Sequence, residues 1–293
     1  MIVTSAELLH DAVEQRYAVG GFDTTCCPLT EAIVRAAEES QTPLLLMVPP
    51  FAFGQGYDDA FIRHMAQRCR ETEVPIALHL DHSGSFDAIK RAIDYGFSSV
   101  MIDASALPWE ENIALTRRVV DYAHEHGVSV EAEIGHVGGG EAALDPAVAD
   151  AAGYTAPQDA LRFAQATGVD LLAVAFGTVH GSFLTAPKLD LDRLRAIRSL
   201  LPGLQLVMHG GSGLSEADFR ASVEAGINKV NIFTEISTLY TAEIARAWQT
   251  SGGKMHLHKA LAPAEEAVVR CIRHLMELFG TPKASEFPKM KAF

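Results

Sequence analysis

The chain has 293 residues, of which 48% are hydrophobic and 21% charged, and a formal net charge of −13. That balance provides for a full core and argues against nucleic acid or an anionic membrane as partner. It still allows an anionic metabolite held by a metal ion or by backbone N–H groups. The cysteines Cys26, Cys27, Cys69 and Cys271 form no CxxC motif, which disfavours a thiolate metal site and suits reduced thiols in a cytoplasmic protein. The opening MIVTSAELLHDAVEQ reads as a capped helix rather than a signal peptide, and no run approaches the ~18 apolar residues of a membrane span.

Apolar runs suited to buried strands recur as YAVGGF (17–22), PLLLMV (43–48), PIALHL (75–80), SSVMI (98–102), VSVEAEI (128–134), DLLAVAF (170–176), LQLVMH (204–209) and KVNIF (229–233). Between them lie segments with apolar residues at three- and four-residue spacing, such as PLTEAIVRAAEES, WEENIALTRRVVDYAHEHG and LDLDRLRAIRSL. Helix-ending glycines precede several strands, as in DYGFSSV, EHGVSV, ATGVDL and EAGINKV. Strands alternating with helices imply parallel pairing, and eight repeats without a GxGxxG imply a closed α/β (β/α)8 TIM barrel in a single domain, residues 1–293. The polar, glycine-rich stretch 136–153 is the longest connection; at that length it is expected to be a functional lid or a disordered segment.

Active sites of such barrels lie at the carboxyl ends of the strands. Those ends carry Asp81 and His82, Asp103, Glu131 and Glu133, His180, His209, Asn231 and Thr234. A lone His at a strand end is more often a hydrogen-bonded core residue than a ligand. Three of them, interleaved with carboxylates on one rim, reverse that reading. Three imidazoles without cysteine suit a catalytic Zn2+ or a related divalent ion with a position left for substrate. Adjacent strand residues face opposite sides, so Asp81 is expected to act as an acid/base rather than as a ligand beside His82. His79 shares the Asp81 face and reads as its support. Glu131 and Glu133 share a face, and two buried carboxylates need a cation or protons. In HGGSG, Gly210, Gly211 and Gly213 permit close backbone approach and Ser212 adds a hydroxyl before a helix starts. Beside NIFTE on the next strand, this reads as a phosphate site rather than a plain turn.

At this point the chain resembles the class II, metal-dependent ketose-bisphosphate aldolases over nearly its whole length. The likeness lies in HLDHSGSFDAIKRAIDYGFSSVMIDAS, VEAEIG, AVAFGTVHG, VMHGGSGL, INKVNIFTE and PAEEAVVRCIRHLMELFG. The resemblance implies His82, His180 and His209 as zinc ligands, with Asp103 and Glu133 at an additional metal position and room for a monovalent cation. It implies Asp81 as the proton carrier at the hydroxyl of the cleaved carbon, and Glu141 as the acid/base acting on dihydroxyacetone phosphate. Gly181, Gly210, Gly211, Ser212, Asn231, Ile232, Phe233 and Thr234 match contacts to that ketose phosphate, and Asp23 a contact to substrate hydroxyls. Partners implied are a small sugar phosphate and further copies of the chain, as a homodimer or homotetramer.

The departures from the family pattern cluster on substrate positions. Asp23 stands where an Asn is usual, Pro49 where a Ser is common, Leu184 where a phosphate-binding Lys is frequent, and His258 where an Arg normally grips the far phosphate. An imidazole lacks the planar fork of a guanidinium, and a carboxylate repels anions. The expectation is therefore a zinc-dependent aldolase whose aldehyde partner need not be glyceraldehyde 3-phosphate. Two other readings remain open on sequence: a metal-dependent sugar-phosphate isomerase or epimerase, and a catalytically silent structural subunit.

Overall fold

A computed structural model describes residues 1–54, 58–139 and 147–293. Eight parallel strands close into a barrel in sequence order. They are β1 (Val19–Asp23), β2 (Leu44–Val48), β3 (Ile76–Ser83), β4 (Ser99–Ile102), β5 (Ser129–Ile134), β6 (Leu171–Val174), β7 (Gln205–Met208) and β8 (Lys229–Ile232). Helices connect them: Cys27–Ser40, Asp58–Glu71, Phe86–Asp94, Trp109–Glu125, Pro157–Thr167, Leu191–Leu200 and Glu216–Ala225, with Thr234–Thr250 and Leu257–Leu278 after β8. The expected (β/α)8 TIM barrel is the observed fold. Among the described residues no helix is long and apolar enough to cross a membrane.

The two-residue period of each strand sorts side chains between two environments. Phe22, Leu46, Leu78, Val100, Val130, Leu172, Leu206 and Val230 are buried between the sheet and the helices. The alternate positions point into the barrel. Its lower half is apolar, built from Val19, Leu45, Met47, Ala77, Leu171, Ala173 and Val207 and closed from below by Val3, Leu8, Leu9 and Tyr17. Higher up, the same inward series turns polar, with His79, Asp81, Glu131, Lys229 and Asn231 all buried. The barrel is thus plugged by apolar side chains at one end and lined by polar groups at the other. Helix ends are set as the sequence suggests: Pro157–Thr167, for example, stops at Gly168, which takes a left-handed φ of 72°.

Two strands end two or more residues away from the predicted carboxyl boundary. β6 is shorter than its apolar run, Leu171–Val174, because the chain leaves the ladder before Phe176. β3 runs past Leu80 to Ser83, so Asp81 and His82 belong to the strand itself. Its pairing with β4 slips between Leu80 and Ser83. The long connection after β5 is pinned on either side of the undescribed residues, by bridges between Gly138 and Val179 and between Ala147 and Phe183.

Candidate active site

The slip in β3 decides the geometry of the rim. His82 takes a positive φ of 44°, a conformation unusual for a residue with a side chain. Strict alternation would send His82 outward when Asp81 points inward. The extra residue at the slip and the left-handed turn bring both side chains to one pocket, which they line together. The expectation that they diverge is corrected by this local twist, and strain of this kind is characteristic of functional positions.

His82, His180 and His209 come from three separate strand ends, yet their ligating nitrogens lie within 4.8 Å of one another. The ring centres of His82 and His209 are 4.3 Å apart, and those of His82 and His180 4.9 Å. Burial and the two neighbouring imidazoles push the His180 pKa well below its ordinary value, so its ring is neutral with a lone pair to share. Nε2 of His180 and Nδ1 of His209 are buried and make no hydrogen bond among the described residues. Glu133 Oε2, 2.9 Å from His209 Nδ1, is likewise without one. Unbonded lone pairs converging on a buried point call for a cation. Burial and His82 lower the His209 pKa, but the carboxylates of Glu131 and Glu133 outweigh them and raise it to about 8. The point therefore attracts positive charge, which a divalent ion supplies better than a proton. The residues present fit such an ion. His82, Asp103 and Glu133 form a second set with ligand atoms equally close, in which His82 Nδ1 is 3.0 Å from Asp103 Oδ2.

Beneath the histidines lies a charged network in the barrel interior. Lys229 Nζ donates to Glu131 Oε2 at 2.7 Å, and Glu131 Oε1 is 2.8 Å from His209 Nε2. Lys229, Glu131 and His79 are fully buried. The cation that the two β5 carboxylates require is thus partly supplied by Lys229, a residue the sequence reading passed over as the start of a strand. Burial would raise the Glu131 pKa, but the Lys229 ammonium and His209 bring it down to about 2. His79 Nδ1 is 2.7 Å from Ser99 Oγ, and its Nε2 stands 3.6 Å from Asp81 Oδ1, the supporting place expected of it. Asp81 is buried, which opposes ionisation, but His82, His79 and Lys229 hold it well below the ordinary carboxylate range. Asn231 Nδ2 donates to Asp81 Oδ1 at 3.0 Å. Asp81 is therefore an ionised, oriented carboxylate in the same pocket as His82 and His180.

The pocket above is lined by Asp23, Pro49, Asp81, His82, His180, Gly181, Gly210, Ser212, Asn231, Phe233 and Thr234. Asp23, Pro49 and Asp81 form the arc at β1 to β3, and the glycines, Ser212 and Thr234 the arc at β6 to β8. On the second arc Ser212 Oγ accepts from the backbone N–H of Glu235 at 3.1 Å, at the start of helix Thr234–Thr250. Two residues grouped with the pocket on sequence are not in its lining. Ile232 points outward into the core between sheet and helices, and Gly211 packs against Asn231 and Ile232. Leu184 is exposed, and so is His258 in the first turn of Leu257–Leu278; neither lines the pocket. Glu141 lies outside the described residues.

Gly210 takes φ 66°, and a methyl group there would run into the Val179 carbonyl. Gly210→Ala is expected to strain this arc by about 1–3 kcal/mol, a drop in melting temperature on the order of 2–8 °C. A thermal melt checks it, and an unchanged midpoint would mean that the loop yields freely.

The sequence matches the family described as class-II fructose-bisphosphate aldolase over residues 3–283. It is 39% identical over 284 residues to the fructose-bisphosphate aldolase of Staphylococcus aureus, covering 96% of this chain and 98% of that one. The probable fructose-bisphosphate aldolase of Bacillus subtilis is 38% identical with the same coverage. Among solved structures, the YdjI aldolase of Escherichia coli superposes with a TM-score of 0.84 at 29% identity, covering 96% of this chain and 98% of that one. A putative fructose-1,6-biphosphate aldolase of Coccidioides immitis superposes at 0.85 with 31% identity and the same coverage.

Proposed function

Since the chain belongs to the class-II fructose-bisphosphate aldolase family, we propose that it cleaves a ketose phosphate reversibly to dihydroxyacetone phosphate and an aldehyde, with Zn2+ as the working ion. The observation that carries this reading is the meeting of three histidine nitrogens from separate strand ends beside a buried, ionised Asp81. His82, His180 and His209 would hold the ion. When bound, it supplies a Lewis acid that stabilises negative charge developing on the ketose oxygens.

The other roles belong to the chain's own groups. Asp81 takes the proton of the hydroxyl on the carbon being released as the C–C bond breaks and the aldehyde forms. The bonding electrons remain with the ketose fragment, which then receives a proton at carbon. In synthesis Asp81 returns its proton to the new hydroxyl. Its hydrogen bond from Asn231 keeps one oxygen occupied and leaves the other for substrate. Glu141 is assigned the carbon proton by its sequence match alone. The β6–β8 arc, with Gly181, Gly210, Ser212, Thr234 and the helix start behind them, suits the phosphate of the retained fragment.

The opposite arc argues about the aldehyde. It presents Asp23 and Asp81 without any Lys or Arg in the pocket lining, and the sequence has no Lys or Arg in 55–57 or 140–146. A second phosphate would meet carboxylates there, so the aldehyde is read as one without phosphate. Coupled detection of dihydroxyacetone phosphate over a substrate panel tests this. Ketose 1-phosphates are expected to turn over faster than fructose or tagatose 1,6-bisphosphate. Comparable or better turnover of the bisphosphates would overturn the aldehyde reading. Proton exchange without any aldehyde product would shift the assignment to an isomerase or epimerase.

A further inference from the structure

Lys229 is a buried charged group near the site for which the mechanism above has no use. It is the first residue of β8, is fully buried, and lies in register with Val19 on one side and Val207 on the other. Both neighbours belong to the apolar plug of the barrel. An ammonium in such surroundings needs a strong partner, and it has one in Glu131 Oε2 at 2.7 Å across the barrel. The second oxygen of that carboxylate is 2.8 Å from His209 Nε2. The opposite nitrogen of the same ring, Nδ1, is buried and unbonded among the described residues and faces Glu133 and the ion position.

We propose that Lys229 is a positioning residue: by pinning Glu131 it fixes the His209 ring with its proton on Nε2 and its Nδ1 lone pair toward the ion, and so sets ion affinity. The inference rests on the three-histidine reading of the site. An imidazole has two tautomers, and the one that binds a metal through Nδ1 carries its proton on Nε2, where only an acceptor can hold it. Glu131 is that acceptor as long as both of its oxygens are occupied as seen here. Without the ammonium, Glu131 Oε2, buried in the barrel, loses the hydrogen bond that Lys229 Nζ donates to it, and the side chain is free to rotate or to be neutralised. His209 then loses both its orientation and its tautomer. The chain of contacts runs Lys229, Glu131, His209, ion, and each link comes from a different strand or strand end.

The test measures binding of Zn2+ itself by competition with a chromophoric chelator, on variants shown to be folded by circular dichroism. Lys229→Met is expected to weaken binding roughly 10- to 100-fold, the usual range for a group that orients a ligand. Lys229→Met with Glu131→Gln removes both charges but keeps an acceptor oxygen for Nε2–H, and should recover affinity to within about threefold of wild type. Lys229→Met with Glu131→Met removes the acceptor too and should stay weak. Wild-type affinity in Lys229→Met, or equal affinity in the two double variants, would overturn the proposal, and the doubles decide the matter if the single variant does not fold. Nitrogen-detected NMR of the Zn2+-loaded wild type adds a reading that needs no variant. A proton on His209 Nε2 supports the proposal, and one on Nδ1 overturns it. Failure of the wild type to bind Zn2+ at all would instead strike the metal reading of the site.

Discussion

His180→Ala is expected to abolish turnover and to strip the protein of its divalent ion. Among the described residues, His180 is the one of the three histidines with no carboxylate directly bonded to its ring: His82 leans on Asp103 and His209 on Glu131. Its Nε2 is buried and unbonded among the described residues, so its one evident occupation is to share a lone pair with an ion. Removal leaves two imidazoles and a void on the β6 side. Loss of a group that merely orients a ligand weakens metal binding by about 10- to 100-fold, so loss of a ligand itself should exceed about 100-fold. Elemental analysis after dialysis, beside a cleavage assay, checks this. A variant that retains one ion per chain with near-normal turnover would refute the three-histidine centre. Chelator treatment of the wild type should reproduce the loss, and added Zn2+ should reverse it there but not in the variant.

Asp81→Asn is the second large effect, and it should separate chemistry from metal binding. The amide keeps the shape and one acceptor oxygen for Asn231 Nδ2, but it cannot take a proton. Cleavage is expected to fall by about 10²- to 10⁴-fold, the range for loss of a general acid/base, while ion content stays at the wild-type level. Exchange of the carbon-bound proton of dihydroxyacetone phosphate should persist, because the proposed mechanism assigns that step to a different residue. Solvent-isotope incorporation measured beside cleavage distinguishes the two. Equal loss of both activities would mean that Asp81 is needed to assemble the site rather than to carry the hydroxyl proton.

What could be read from the sequence was what periodicity and strand ends reveal. Alternating apolar and helical segments gave eight strands, and the barrel followed. Histidines at the ends of three strands pointed to one rim because a closed barrel has only one such rim. The relation between Asp81 and His82 was hidden, since simple alternation sends neighbours to opposite faces and nothing in LDHSG announces a slipped register or a left-handed His82. Lys229 was hidden for another reason. A lysine opening a strand looks like a solvent-facing end, and only its parity with Asn231, two residues on, marks it as inward. The same parity would have removed Ile232 from the pocket, where a contiguous motif had carried it along.

The arrangement of the pocket into two arcs has a consequence for how such a protein changes over time. The three clustered histidines and the pocket-lining Gly181, Gly210 and Ser212 sit on β3 or just beyond β6 and β7, while Asp23 and Pro49 stand on or just after β1 and β2. On the proposed function, substitutions at these two positions redirect which molecule is joined or released while leaving Asp81 and the three histidines, the groups assigned to bond breaking, in place. A lineage built this way explores new sugars by editing one side of its mouth, and inherits the rest intact.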